Sequence, residues 1–496
     1  VRNEPGGRAS AASPRPAYAP ESGPAAALPP LGERFRRALI EYGLLALLIL
    51  SPLPAASVEN WSVLAIEMVA ALLAAATLVG RPSHLNPKLQ AALRAPGFLA
   101  AGLFAFLSLQ IVPLPKLVVK ILSPLAYGLR ESFDPGFAGS ATMSLSLVPA
   151  QTAREALELL AYVLIAWTVL RTVTHRRQIM RFLSVLVVLG TAQAFYGLFE
   201  LSRSNPRVLF YPKLYNLDAA SGTFINRNHF AGYLEMILPL ALTLLVARVD
   251  LFSLAGKRRS ERLSQLTGRG FAVNVLALIG IVVMALAIVM SRSRSGVFVL
   301  CFIFLLFFLL TAFHFGKAHY RQSWILTLLK VAFGLIAAVS LYVGVEATVG
   351  RFADDNLLQN GRPQYWAGVL QMAGDSPLVG TGWGTFGAVY PVYETVPLEG
   401  RLLHAHNDYL EALAELGAVG FVLLLGLILW PAVGAFRTWS KRRHPGIKGL
   451  GMGGFVALAA LLVHSLTDFN LHIPANAVLF SVVLGLSLAT AYYRKS

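Results

Sequence analysis

Two histidines, an asparagine and three acids stand together in "HAHNDYLEALAELGAVG", residues 404–420, where a polar stretch runs into a long apolar one. Imidazole is the side chain best able to take a proton near neutral pH, so His406 is the candidate general base. A zinc site on His404, His406 and Asp408 is the weaker alternative, because the i,i+2 spacing brings no further clear ligand set. The plain reading is an interfacial helix cap with a bystander histidine. Asp408, Glu411 and Glu415 recur at one-turn spacing, so the segment begins as a polar-faced helix and turns wholly apolar after Gly417. Gly417 and Gly420 form a small-residue pair of the kind that lets another helix approach closely.

Arginines supply the complementary chemistry. Arg227 stands in "NRNH", Arg292 and Arg294 in "SRSRSG", Arg362 in "GRPQYW" and Arg351 shortly before it. A guanidinium stays charged and its planar fork fits phosphate oxygens. Snorkelling towards lipid phosphates is the alternative for those at the mouths of spans, and a surface charge at a helix start is the alternative for Arg362. In "HSLTDFNLHIPANA" (464–477), His464, Asp468, Asn470 and His472 either shape an acceptor site or cap two helices. "GTGWGTFG" (380–387) matches a dinucleotide fingerprint formally, but no strand precedes it and no βαβ unit surrounds it, so it reads as a tight turn. Trp366, Trp383, Tyr390 and Tyr393 are candidates for stacking on sugars or anchoring at headgroups. Glu67 and Glu235 are ionisable residues within or near apolar runs, functional candidates without an evident partner.

The elements that must position these residues are membrane helices. Hydrophobic residues make up 56% of the 496-residue chain and charged residues 14%, too few charges for a soluble surface. The formal charge of +17 fits basic cytoplasmic loops rather than nucleic-acid binding. The single cysteine, Cys301, permits no internal disulfide. Apolar runs predict an all-α integral membrane protein of about twelve spans: 38–56, 62–80, 98–113, 155–172, 182–200, 229–247, 271–290, 296–315, 325–347, 409–435, 449–467 and 474–492. Residues 1–32, rich in Pro, Ala, Gly and Ser, read as a disordered cytoplasmic tail, and 33–496 as one polytopic domain. Loops such as "ERFRR", "RTVTHRRQIMR" and "FRTWSKRRHPGIK" are basic and fall on one side, which places both termini in the cytoplasm. Residues 348–408, between the ninth and tenth spans, are then the large outer loop. His406 and the candidate arginines share that outer face.

Several motifs together resemble the O-antigen ligase and polymerase superfamily. They are His406-Asn407, nine residues and Gly417-x-x-Gly420; "SGTFINRNHFAGYLEM" (221–236); "SRSRSG" (291–296); "GRPQYWAGVLQMAGDSPLVGTGWGTF" (361–386); and "DFNLHIPANA" (468–477). The resemblance covers roughly residues 150–490. It implies a bacterial inner-membrane enzyme that transfers a glycan from an undecaprenyl-diphosphate carrier at the periplasmic face. His406 would activate the acceptor hydroxyl. Arg227, Arg294 and Arg362, with Arg292 and Arg351 behind them, would hold the diphosphate. Asn226, Asn407, Asp468 and His472 would support the acceptor.

The His-Asn signature favours a ligase acting on lipid A core; a polymerase adding to a second lipid-linked glycan is the alternative. Direct displacement implies inversion at the anomeric carbon. The absence of an acidic metal-binding motif implies a reaction without metal or other cofactor. A twelve-helix transporter is the rival from another class, but its polar groups would gather at mid-membrane rather than at one surface.

Overall fold

The computed structural model describes residues 30–79, 87–248, 269–320, 334, 362–394, 400–442 and 445–492. The helices are α1 (Leu31–Leu50), α2 (Asn60–Val79), α3 (Pro87–Ile111), α4 (Lys116–Leu122), α5 (Pro124–Phe133), α6 (Pro149–Thr172), α7 (Arg176–Leu201), α8 (Arg227–Arg248), α9 (Arg269–Met290), α10 (Arg294–Tyr320), α11 (Arg362–Asp375), α12 (Phe386–Val389), α13 (Asp408–Lys441), α14 (Pro445–His464) and α15 (Pro474–Tyr492). Three short 3-10 helices (Ala55–Ser57, Tyr390–Tyr393 and Asn470–His472) and two short antiparallel pairs, Leu114–Pro115 with Thr142–Met143 and Arg207–Val208 with Tyr211–Pro212, complete the secondary structure of the described residues.

The fold is an all-α, multi-pass membrane architecture. Among the described residues, seven helices are long and apolar enough to cross a bilayer. Helices overlie the expected spans except 325–347, of which only residue 334 is described; of the expected tail at 1–32, residues 1–29 lie outside the described residues, while Leu31 and Gly32 already belong to α1. At the centre runs α8, where Phe230, Tyr233, Leu234, Met236 and Ile237 are fully buried. It packs against α9 and α14, and α15 packs against α6 and α13. The outward faces are apolar too: Leu64, Met68 and Leu72 of α2 and Phe298 and Leu305 of α10 are all exposed. A bundle apolar inside and outside is the expected result when the solvent is hydrocarbon.

The long α13 is broken at Gly417, whose φ of 60° and ψ of −174° are non-helical. The break leaves backbone groups that need partners, and the 377–382 segment supplies them. Ala418 N–H donates to the Pro377 carbonyl (2.7 Å) and Val419 N–H to Leu378 (3.2 Å). In return, the Ala414 and Glu415 carbonyls accept from Thr381 N–H (3.1 Å) and Gly382 N–H (3.0 Å). A Cβ at Gly417 would lie 2.4 Å from the Leu378 carbonyl carbon. The expectation that Gly417 and Gly420 form one helix-packing pair is therefore corrected. Gly417 is a hinge clamped by irregular backbone; Gly420 alone meets a neighbouring helix, at Phe106 of α3.

Candidate active site

One end of the bundle gathers the starts of α8, α10, α13 and α15 and the ends of α7, α9 and α14. Short hydrogen-bonded segments tie it together. Ala220 N–H reaches the Met290 carbonyl (2.9 Å), Asp408 N–H the Ser465 carbonyl (3.0 Å), and Asn476 Nδ2 the His229 carbonyl (3.1 Å). The connection between α14 and α15 crosses the middle of this end and carries Asp468.

Asp468 is the hub. Its side chain is fully buried. Asn228 Nδ2 donates to Oδ2 at 2.6 Å, Phe469 N–H to Oδ1 at 2.9 Å, and His229 Nε2 faces Oδ1 at 3.5 Å. His406 Nδ1 meets the same Oδ1 at 3.2 Å. With Nδ1 turned to the carboxylate, Nε2 is the remaining ring nitrogen of His406, and 27% of its side chain is exposed. Phe469 crosses its ring edge-on at 4.7 Å. His406 also holds a left-handed backbone, φ 49°, a strained conformation of the kind concentrated at functional sites.

The arginines reach this hub through their chain neighbours. Arg227 and Arg294 are the first residues of α8 and α10, where the helix dipole favours negative charge. Arg227 adjoins Asn228, bonded to Asp468; Arg294 adjoins Ser295, whose hydroxyl accepts from Thr467 at 2.8 Å, beside Asp468. Arg294 and Arg292 are exposed, and Arg292 is ion-paired with Asp218. Arg362 opens α11, and its side chain lies outside the description, as does all of Arg351. Sequence reasoning passed over Lys213. Burial pulls its ammonium below the ordinary lysine value, against Asp218 and together with the nearby Arg227. Only the charge of its short loop could have pointed to it.

Several expected roles change. Asn407 accepts from Tyr409 N–H (3.0 Å) and Leu410 N–H (3.1 Å), so its carbonyl is used as the N-cap of α13 rather than for an acceptor. Asn226 likewise accepts Asn228 N–H (2.9 Å) at the start of α8. His472 does not join Asp468. It pairs through Nδ1 with Asp408 Oδ1 at 2.9 Å and faces Glu411 through Nε2. Burial alone would lower its pKa, but Glu411 and Asp408 hold the imidazolium well above the ordinary histidine value. The trio His404, His406 and Asp408 does not assemble, because His406 turns to Asp468 while His404 Nδ1 meets Glu411 Oε1 at 2.8 Å. Instead, donor atoms of His404, Glu411 and His472 lie within 4.8 Å of one another.

The glycine-rich turn at 380–387 holds a carboxyl group of the protein's own. Gly384 N–H and Phe386 N–H donate to the two oxygens of Glu415 at 2.8 and 2.7 Å, which uses the donors a dinucleotide phosphate would need. Trp383, Tyr390 and Tyr393 are buried. Trp366 donates to the Ala405 carbonyl (2.8 Å) and Tyr393 to Asp375 Oδ2 (2.8 Å). Headgroup anchoring does not fit Tyr390 and Tyr393, which pack in a hydrophobic cluster with Val369, Met372 and Phe386, whereas Trp383 lines a cavity. Glu235 gains a partner: its Oε2 meets His464 Nδ1 at 2.8 Å, both side chains fully buried.

An apolar cavity of about 330 Å³ lies on the other side of this end, between α3, α6, α13 and α15. Leu427, Ile428 and Phe480 line it, and Glu155, Glu158, Asp408 and His472 close its polar end. The acidic groups at this end set it apart from the side that carries Arg227 and Arg294.

Residues 279–425 match the family model described as O-antigen ligase. A 149-residue segment is 30% identical to the exopolysaccharide production protein ExoQ of Rhizobium meliloti (strain 1021), covering 28% of this chain and 34% of that protein. The aligned segment thus spans about a third of its relative. The two findings support the O-antigen ligase and polymerase superfamily.

Proposed function

Proceeding from that superfamily, we propose that the chain transfers a glycan from an undecaprenyl-diphosphate carrier to an acceptor hydroxyl at the periplasmic face of the bacterial inner membrane. The observation that carries this reading is the Asp468–His406 pair at 3.2 Å, set among helix starts that bear Arg227 and Arg294.

Asp468 accepts from Nδ1–H and fixes the tautomer, so His406 Nε2 takes the proton from the attacking hydroxyl. The acceptor oxygen forms a bond to the anomeric carbon as the bond to the diphosphate oxygen breaks, with inversion at that carbon. Negative charge grows on the departing diphosphate, where arginine side chains and helix N-termini stabilise it. The transfer chemistry draws on no metal. The apolar cavity suits part of a hydrocarbon chain, and its acidic end keeps the diphosphate on the arginine side.

The acceptor divides the ligase from the polymerase reading. The His406-Asn407 signature supports the ligase; the likeness to a protein named for exopolysaccharide production supports a polymerase. Purified protein is given a lipid-diphosphate-linked oligosaccharide, with and without lipid A core. A glycan–lipid A conjugate is the ligase outcome, and a ladder of longer lipid-linked chains is the polymerase outcome. No product with either acceptor, but substrate-stimulated flux across sealed vesicles, would replace both with a transporter.

A further inference from the structure

We propose that His404 Nδ1, Glu411 Oε1 and His472 Nε2 bind one divalent first-row cation, zinc by their donor set, which pins the His406 loop to the α14–α15 connection. Two imidazoles and a carboxylate form a three-ligand set typical of zinc, with one position left for water.

The distances fit. Ligand atoms around a tetrahedral zinc stand ~3.3 Å apart. Glu411 Oε1 lies 2.8 Å from His404 Nδ1 and 3.4 Å from His472 Nε2. Buried Nε2 of His472 makes no hydrogen bond among the described residues, although it faces that carboxylate. In the proposed site the ion takes the place of the Nε2 proton that the carboxylates otherwise hold on His472. The surroundings orient the donors as they do at metal centres: His472 Nδ1 is held by Asp408 Oδ1 at 2.9 Å, a carboxylate–histidine arrangement. Ala405 N–H fixes the other Glu411 oxygen at 2.7 Å. His404 stacks on Phe469 at 4.4 Å, and His472 on Trp383 at 5.9 Å.

The donors stand apart from the chain's own cations: among the described residues, the partners of Glu411 are His404, His472 and the Ala405 amide, and those of Asp408 are His472 and the Leu471 amide. The ion does not touch His406, so it is a structural fastener rather than part of the transfer step. Sequence spacing hid the set because His472 comes from a separate connection.

The test counts ions. Protein stripped by chelator, then equilibrated with zinc and gel-filtered in detergent, is expected to hold about one ion per chain. His406→Ala keeps all three donors and is expected to hold the same. Glu411→Gln and His472→Gln should bind more than ~100-fold more weakly, and Asp408→Asn ~10-fold more weakly. Should those variants fail to fold, cobalt(II) in the wild type serves instead, and intense visible absorption of a low-coordinate site is expected. A wild type that retains no zinc, ligand variants that retain as much as wild type, or the weak absorption of octahedral cobalt would each overturn the proposal. Transfer is not the readout, so this site and the transferase reading fail separately.

Discussion

His406 combines three properties at one residue: a left-handed backbone, a carboxylate on Nδ1 and an edge open to substrate. Asp468→Asn keeps the shape of the partner but removes its charge and its preference for the correct tautomer. Transfer by this variant should fall ~10³-fold in kcat, with the donor KM little changed, in steady-state assays. Arg294→Ala should act differently, weakening the hold on the diphosphate and lowering kcat/KM ~10–100-fold; unchanged values would take Arg294 out of the site. The positions of His406, Arg227 and Arg294 at the mouths of helices were legible in the sequence because such residue types are unusual there. Asp468 was named with them as a support for the acceptor, but its pairing was not legible: it sits 62 residues from His406 in the chain, and only folding shows that it, rather than His472, faces the imidazole.

At the scale of elements, α13 carries two devices that place His406. Asn407 caps the helix, and Asn407→Ala should cost about 1 kcal/mol of stability, read as a lower Tm in detergent. Gly417 allows the helix to break while backbone from 377–382 takes its bonds. Gly417→Ala places a Cβ against the Leu378 carbonyl and should cost about 2 kcal/mol or more, again read as Tm. A tolerated alanine would mean that the break is not a fixed hinge. The sequence showed where polarity ends at Gly417, but suggested helix packing, since a glycine near a glycine looks the same whether it serves a close approach or a positive φ. The turn at 380–387 was recognised as a turn; that its amides hold Glu415 required the distant α13 to be in place.

For the whole molecule, the apolar run lengths marked out the helices, because a bilayer demands ~20 residues of hydrocarbon-compatible helix. Orientation rests on loop charge and is open to direct measurement. In a Cys301→Ser background, a cysteine at Tyr211 in the exposed 207–212 hairpin should label from the periplasm. One at Ser440, at the opposite end of α13, should label only after permeabilisation. The reverse pattern would put the site in the cytoplasm and remove its proposed substrate. If His406 takes the acceptor proton, its loss slows the transfer step itself. Single-turnover transfer from a lipid-diphosphate-linked glycan, comparing wild type with His406→Ala at equal donor occupancy, measures that step. Bound donor is expected in both, with ~10²–10⁴-fold slower transfer in the variant. Equal rates would contradict that role and leave His406 as part of a helix cap.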